Sequence, residues 1–191
     1  SITSGDNVTL VDTNAITLVA ATVSGLYDVT ADAIDVTGAV SANSLDFNAA
    51  GGAGNITDTG GSLDVATTST LAAQATDAIT LDAAGNDFTG AVSITSGDNV
   101  TLVDTNAIIL GAATVSGLYD VTANAIDVTG AVSANSLDFN ASGGGGNITD
   151  SGVGSLDVAT TSTLAALGTD DIILDAAGND FTGAVSITSG D

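Results

Sequence analysis

The sequence predicts an all-β protein, a parallel β-helix (β-solenoid) of roughly eight coils of 20–25 residues each. Three features support this fold: a long internal repeat, short pairs of alternating apolar residues, and clusters of turn-forming residues between the pairs. The i, i+3, i+4, i+7 spacing of an amphipathic helix is not sustained anywhere, so essentially no helix is expected. The alternative is a series of tandem β-sandwich repeats, which would need about seven longer strands per domain and corner residues such as Pro or aromatics.

The internal repeat has a period of 92 residues, because residues 1–16 recur unchanged as residues 93–108. The same phrase begins again at residue 186, now 93 residues on, because the second copy contains a one-residue insertion. A fixed period is typical of architectures in which each unit packs on its neighbour. We therefore divide one continuous solenoid into copy 1 (1–92), copy 2 (93–185) and the start of a third copy (186–191), and we expect a window of a longer array.

The apolar pairs have the pattern of short strands with one buried face, since one polar or small residue separates their two members. Residues between the members, such as Thr9, Asp35 and Asp64, are then expected to point outward. Gly, Asn and Asp cluster between the pairs, and these residues favour sharp turns. In copy 1 the pairs are Val8-x-Leu10, Ile16-x-Leu18, Ile34-x-Val36, Leu45-x-Phe47, Leu63-x-Val65, Ile79-x-Leu81 and Val92-x-Ile94.

The composition restricts both the core and the partners. Aromatic residues make up only 3% of the chain, so we expect a narrow core of aliphatic residues without room for large rings. Lys, Arg and His are absent, all acidic residues are Asp, and the net charge is −23. Because binding to phosphates needs basic side chains, neither nucleic acid nor anionic lipid is an expected partner. No apolar stretch is long enough to insert into a membrane as a helix.

The two copies differ at about ten positions besides the insertion, which lies in a turn cluster. Two differences are of the same kind: Thr17 and Thr80 of copy 1 correspond to Ile109 and Ile173 of copy 2. Both lie at the outward position of an Ile-x-Leu strand. This predicts that the two strands share a face, and that this face makes a lateral contact.

Several phrases resemble the repeat regions of filamentous haemagglutinin-like proteins, the large secreted adhesins of Gram-negative bacteria. They are residues 78–94 (AITLDAAGNDFTGAVSI), residues 7–10 (NVTL) and residues 112–117 (AATVSG), and the likeness extends over both copies. The resemblance implies a right-handed parallel β-helix that holds a binding region away from the cell. This sequence differs in having no Lys or Arg, which argues against a glycosaminoglycan-binding role. The resemblance implies no catalytic motif.

An enzyme is not expected. Asp and two Tyr are the only ionisable side chains, so there is no His to move protons and no Arg or Lys to stabilise an oxyanion. The only adjacent carboxylates are Asp170 and Asp171, and copy 1 has Asp77 and Ala78 at that place.

Calcium is the better chemical hypothesis, because Ca²⁺ prefers carboxylate and amide oxygens around a Gly turn. The Gly-rich stretches 51–58 and 143–150 resemble calcium-binding β-roll repeats and end in Asp. The alternative interpretation is that the same side chains only cap turns. The candidate ligands are Asp82, Asn86 and Asp87 in copy 1, Asp175, Asn179 and Asp180 in copy 2, and Asp58 and Asp150 in the Gly-rich stretches.

We therefore predict a structural segment of an extracellular filament or adhesin stalk, secreted or at the cell surface or in the extracellular matrix. Its expected partner is the chain itself, by end-to-end continuation and by lateral bundling. The alternative function is a calcium-dependent module that binds polysaccharide or another surface.

Overall fold

The computed structural model describes residues 2–52 and 54–190. These residues form 22 strands and no helix, and neighbouring strands pair in parallel. The chain closes one coil after another, so that each strand pairs with a strand of the coil above it. The result is a β-solenoid of about nine coils, which confirms the predicted parallel β-helix and rules out the β-sandwich alternative.

The strands are short, apart from four that continue around a corner of the coil. In chain order the strands are β1 Ile2–Gly5, β2 Val8–Val11, β3 Ile16–Leu18, β4 Ala21–Ala31, β5 Ile34–Val36, β6 Ala39–Ala49, β7 Ile56–Thr57, β8 Ser62–Val65, β9 Ser69–Ala72, β10 Ile79–Leu81, β11 Asp87–Phe88, β12 Ala91–Ser96, β13 Val100–Val103, β14 Ala107–Ala123, β15 Ala125–Val128, β16 Ala131–Ala141, β17 Ile148–Asp150, β18 Ser155–Val158, β19 Ser162–Ala166, β20 Ile172–Ile173, β21 Asp180–Phe181 and β22 Val185–Ser189.

The coils have three faces. Face A contains β1, the start of β4, the start of β6, β8 and β11. Face B contains β2, the end of β4, the end of β6, β9 and β12. Face C contains β3, β5, β7, β10 and β13.

The same three faces continue upward through copy 2. The start of β14, β15, β17 and β20 extend face A. The middle of β14, the start of β16, β18 and β21 extend face B. The end of β14, the end of β16, β19 and β22 extend face C.

The core is built from the inward members of the apolar pairs, stacked in register from coil to coil. On face C, for example, Ile16, Ile34, Ile56 and Ile79 lie directly above one another. The last three are fully buried, whereas Ile16 in the first coil is partly exposed. Such stacking removes apolar surface from water in every coil, while backbone hydrogen bonds join the coils.

The expectation of a core without large rings was wrong. Two edge-to-face pairs, Tyr27 with Phe47 and Tyr119 with Phe139, have ring centroids 5.8 and 5.7 Å apart and are buried. Phe88 is also buried. The rings of each pair lie in consecutive coils and pack along the solenoid axis, so the width of the core does not limit them.

The observed number of about nine coils matches the predicted roughly eight. Some coils are shorter than the expected 20–25 residues. Ile2 pairs with Ala21 and Ala21 with Val40, so two consecutive coils take 19 residues each. Strand β4 passes from face A to face B through a register shift between Val23 and Leu26 instead of a loop. A corner made this way uses few residues.

The repeat does not contain a whole number of coils. Ile2, Ile94 and Ile187 are equivalent in the three copies, yet they lie on faces A, B and C. Each copy therefore occupies four coils plus one further strand position. At about 4.8 Å between coils, one copy rises by about 21 Å and moves its surface pattern by one third of a turn.

Gly90 lies where two coils approach closely. A Cβ atom at this position would lie 1.5 Å from the carbonyl oxygen of Thr67 in the coil below, and the equivalent Gly183 approaches Thr160 in the same way. We expect Gly90→Ala to lower the free energy of unfolding by about 1–3 kcal/mol, because the backbone must shift. Chemical denaturation checks this, with Gly144→Ala as the control, since a Cβ there meets nothing within 4 Å. Equal stability of the two variants would contradict the close approach.

Candidate functional site in the turns and on the outward ladders

The candidate ligands Asp58 and Asn86 form one buried hydrogen-bond network between two coils. Asp58 Oδ1 accepts a hydrogen bond from the Asp82 backbone N–H at 3.1 Å. Asp58 Oδ2 accepts from the Ala83 N–H at 3.1 Å and from Asn86 Nδ2 at 2.7 Å. Asn86 Oδ1 in turn accepts from the Leu63 N–H at 2.9 Å. The side chains of Asp58 and Asn86 thus replace the backbone pairing that is missing in the turns.

Copy 2 repeats this network with its equivalent residues. Asp150 accepts hydrogen bonds from the backbone N–H groups of Asp175 and Ala176 and from Asn179 Nδ2. Asn179 Oδ1 accepts from the Leu156 N–H at 2.9 Å. The two networks lie at different faces of the solenoid, so the network can form on more than one side of it.

The other candidate ligands lie apart from this network. The side chains of Asp82, Asp175 and Asp180 are exposed, and only the backbone N–H groups of Asp82 and Asp175 contact the buried Asp. Asp87 is half-buried, stacks over Asp64 and accepts a hydrogen bond from Asn106. Within residues 2–52 and 54–190, no group of three or more acidic side chains is arranged to hold a metal ion.

This geometry favours turn capping as the chemistry of Asp58 and Asp150. Both oxygens of each carboxylate already accept hydrogen bonds from N–H donors, and these three bonds take most of the about four acceptor positions of the carboxylate. Burial raises the pKa of Asp58, although the bonds from Asn86, Ala83 and Asp82 oppose that change.

The outward ladders of the solenoid contain stacked carboxylates. Asp28 lies directly below Asp46 on face B, and the equivalent Asp120 lies below Asp138 on face C. Burial, and to a smaller extent the charge of the neighbouring Asp, raise the pKa of Asp46 and Asp120. Since the chain has no basic side chain, no ion pair within it can offset this repulsion.

Asp35 differs from these pairs because hydroxyl groups surround it. Thr57 Oγ1 and Thr59 Oγ1 each donate a hydrogen bond to Asp35 at 2.8 Å, and the Thr59 N–H donates a third. Burial raises the pKa of Asp35, but these bonds outweigh it, so the pKa lies below its usual value. In copy 2, Asp127 accepts hydrogen bonds from the hydroxyl groups of Thr149 and Ser151.

Sequence reasoning missed three further capping carboxylates. Asp104 accepts hydrogen bonds from the N–H groups of Phe88 and Asn106, and burial raises its pKa. Asp77 accepts from the Gly54 N–H, and Asp170 from the N–H groups of Gly145 and Gly146. The signal for Asp104 was present in the Asp-Thr-Asn spacing, which is typical of an Asx turn. The partners of Asp77 and Asp170 lie in the previous coil, so no local sequence pattern indicates that these two carboxylates cap a turn.

The clefts at the first coils do not form a separate site. One, of about 270 Å³, is lined by Asp12, Thr13 and Asp32, among others. The equivalent place in copy 2 is closed, because Asp104, the counterpart of Asp12, is buried against the coil of Phe88. In copy 2 the coil that contains Phe88 fills the counterpart of this cleft.

Fold and site together define a class of protein: a repeat β-solenoid whose side-chain chemistry caps turns between coils. The chain belongs to the family described as repeats of unknown function (DUF5649), whose sequence profile matches residues 5–53, 42–95, 97–149 and 137–188. No curated protein and no solved structure matches the chain. In the part of the chain that the structure describes, no helix is long and apolar enough to cross a membrane.

Proposed function

We propose that this chain is a structural segment of an extracellular rod, such as a filament or the stalk of an adhesin. One observation carries the proposal: a ladder of parallel pairing runs without interruption on face C from Ile16 to Val185. Such a ladder transmits load from coil to coil through backbone hydrogen bonds, and each added repeat lengthens it.

The surface chemistry supports an extracellular rod. The net charge of −23 without a single basic residue disfavours nucleic acid and anionic lipid as partners and keeps the surface hydrated. The likeness of residues 78–94 to filamentous haemagglutinin-like repeats supports secretion and attachment at the cell surface. No catalytic role is part of this proposal.

The rod is tested by small-angle scattering of the chain and by electron diffraction of the assembly from the cells that produce it. About nine coils at about 4.8 Å predict an isolated rod about 43 Å long, and the assembly should diffract at 4.8 Å along its axis. The location is tested by immunogold labelling of intact cells. An assembly of separate globular domains without the 4.8 Å axial repeat would contradict the proposal. Immunogold label found only inside the cells would also contradict it.

Calcium separates the rod from the alternative function, a calcium-dependent module for polysaccharide. Because N–H donors occupy the oxygens of Asp58 and Asp150, we expect thermal unfolding to be the same in millimolar calcium and in excess chelator. Magnesium at the same ionic strength is the control for charge screening. A calcium-specific rise of the melting temperature that Asp58→Asn removes would favour the calcium-dependent module instead.

A further inference from the structure

The differences between the two copies are confined to one face. In copy 2, Ile109 and Ile173 lie on face A, and all other differences lie in the turns that enter or leave this face, at residues 111, 124, 142–145, 151–153 and 167–171. The strands of faces B and C are identical to their counterparts in copy 1. We call face A of copy 2, with its flanking turns, the divergent face; its counterpart in copy 1 is face C.

The outward ladder of the divergent face carries fewer carboxylates than the other two ladders of copy 2, although its flanking turns contain Asp170 and the exposed Asp171. Its outward ladder runs Ile109, Asp127, Thr149 and Ile173, and both Asp127 oxygens accept hydrogen bonds from hydroxyl groups. The ladders of the other two faces each contain two stacked carboxylates, Asp120 with Asp138 and Asp157 with Asp180. An acidic neighbour is repelled least by the divergent face.

Apolar side chains extend this face on both sides. Ile173 is 45% exposed, Leu167 in the turn before it is 43% exposed, and the inserted Val153 is 84% exposed. In copy 1 the first two positions hold Thr80 and Gln74, and the third has no counterpart. Copy 2 has therefore gained three exposed apolar side chains on this face, although it has also exchanged the exposed Val19 for Gly111 and Ala78 for Asp171.

We propose that the divergent face is the surface through which two rods of this chain dock side by side. A partner with basic groups would find more carboxylates on the other two faces, whereas a second copy, itself acidic, fits only here. The proposal deepens the structural role proposed above and depends on it.

The size and direction of the contact follow from the repeat. Four coils by about 20 Å give about 400 Å² per rod, half the area of a standard interface, so one contact is weak and several in one array add up. Because each copy moves the pattern by one third of a turn, a further copy with the same substitutions would present its divergent face on a different side of the rod.

The test is sedimentation velocity of the whole chain up to millimolar concentration, at low and at high salt. We expect concentration-dependent association that strengthens with salt, because salt screens the carboxylates. Ile109→Thr with Ile173→Thr restores the copy 1 residues and should weaken association at least about tenfold. The control pair Thr101→Ile with Thr163→Ile places the same residue type beside Asp120 and Asp138 and should not strengthen it.

A second readout locates the contact. The chain has no Cys, so Thr149→Cys on the divergent face and Ser133→Cys on face B each introduce a single outward thiol. Under a mild oxidant, Thr149→Cys should form disulfide dimers faster. The proposal would be overturned if the chain stayed monomeric, or if the Ile109→Thr, Ile173→Thr variant associated like the wild type. Equal cross-linking of Thr149→Cys and Ser133→Cys would also overturn it. The scattering test of the rod itself is independent of all three results.

Discussion

Replacing Asn86 by Ala is expected to lower the free energy of unfolding by about 3 kcal/mol, because the change leaves the buried Leu63 N–H without a partner and removes one of the three hydrogen bonds to the buried Asp58 carboxylate. Asn86 is fully buried, and its amide joins the Leu63 N–H of β8 to the Asp58 carboxylate in the turn that precedes β8. Alanine removes both hydrogen bonds, and the space it leaves is too enclosed for water to replace them freely. For a domain of this size the loss corresponds to a melting temperature about 6–12 °C lower.

Two other substitutions separate the network from a general effect of losing Asn. Asn43→Ala removes an exposed Asn and should change stability by less than about 0.5 kcal/mol. Asn86→Asp keeps an acceptor for the Leu63 N–H but places a carboxylate against Asp58, so its destabilisation should diminish in acid. Circular dichroism during chemical and thermal denaturation measures all three. An Asn86→Ala variant as stable as Asn43→Ala would show that the network contributes little.

The strands could be predicted from the sequence because one physical signal, alternation, determines them. Every apolar pair of copy 1 became part of a strand with both members facing the core, as in Leu63-x-Val65 of β8. The placement of Ile109 and Ile173 on one face was also confirmed, since both belong to the same outward ladder. The turn clusters could also be predicted from the sequence. The insertion was placed in such a cluster, and the inserted Val153 lies in an exposed turn.

The arrangement of the strands around the coil could not be predicted in the same way. Strands β4 and β6 pass a corner without any Gly-rich loop, so their sequences do not mark the change of face. Because this corner is not marked in the sequence, the rotation of one third of a turn between the copies could not be predicted. The role of Asp58 was similarly ambiguous, because a turn cap and a calcium ligand require the same residue types, and only its partners 24 or more residues later decide between them.

The protein should become more stable as the pH falls from 7 towards 4, the reverse of the usual acid denaturation. Burial, with contributions from neighbouring carboxylates, raises the pKa values of Asp46, Asp58, Asp104 and Asp120 in the folded chain. A carboxyl group with a raised folded-state pKa binds its proton more tightly when folded than when unfolded. As the pH falls, the stabilisation by this proton therefore grows between the raised folded-state pKa and the ordinary Asp value of about 3.9, and it is fully present below that value. This stabilisation is lost again as the pH rises through the folded-state pKa.

Asp35 has the opposite effect on the pH dependence of stability. It therefore sets the lower limit of the pH range in which acid stabilises the fold. Hydrogen bonds from Thr59 and Thr57 hold its pKa below the usual value despite burial, so its contribution is present above the unfolded-state pKa. It is lost as the pH falls through the lowered folded-state value. Stability should then pass through a maximum near pH 4, and it should decline in stronger acid.

Thermal unfolding at micromolar concentration across pH 3–8 measures this profile, at a dilution that limits precipitation when the charge is neutralised. Asp46→Asn and Asp120→Asn should each raise stability at pH 7 and flatten the acid rise, because each removes one member of a stacked pair. Asp35→Asn is the control of opposite sign and should lower stability at pH 7, since an amide accepts the Thr57 and Thr59 bonds less strongly than a carboxylate. A profile that falls steadily from pH 7 to 4 would mean that hydrogen bonds to the carboxylates outweigh their repulsion. In that case the stacked Asp residues would act as caps, like Asp58, and the ladders would be stabilised in the charged state.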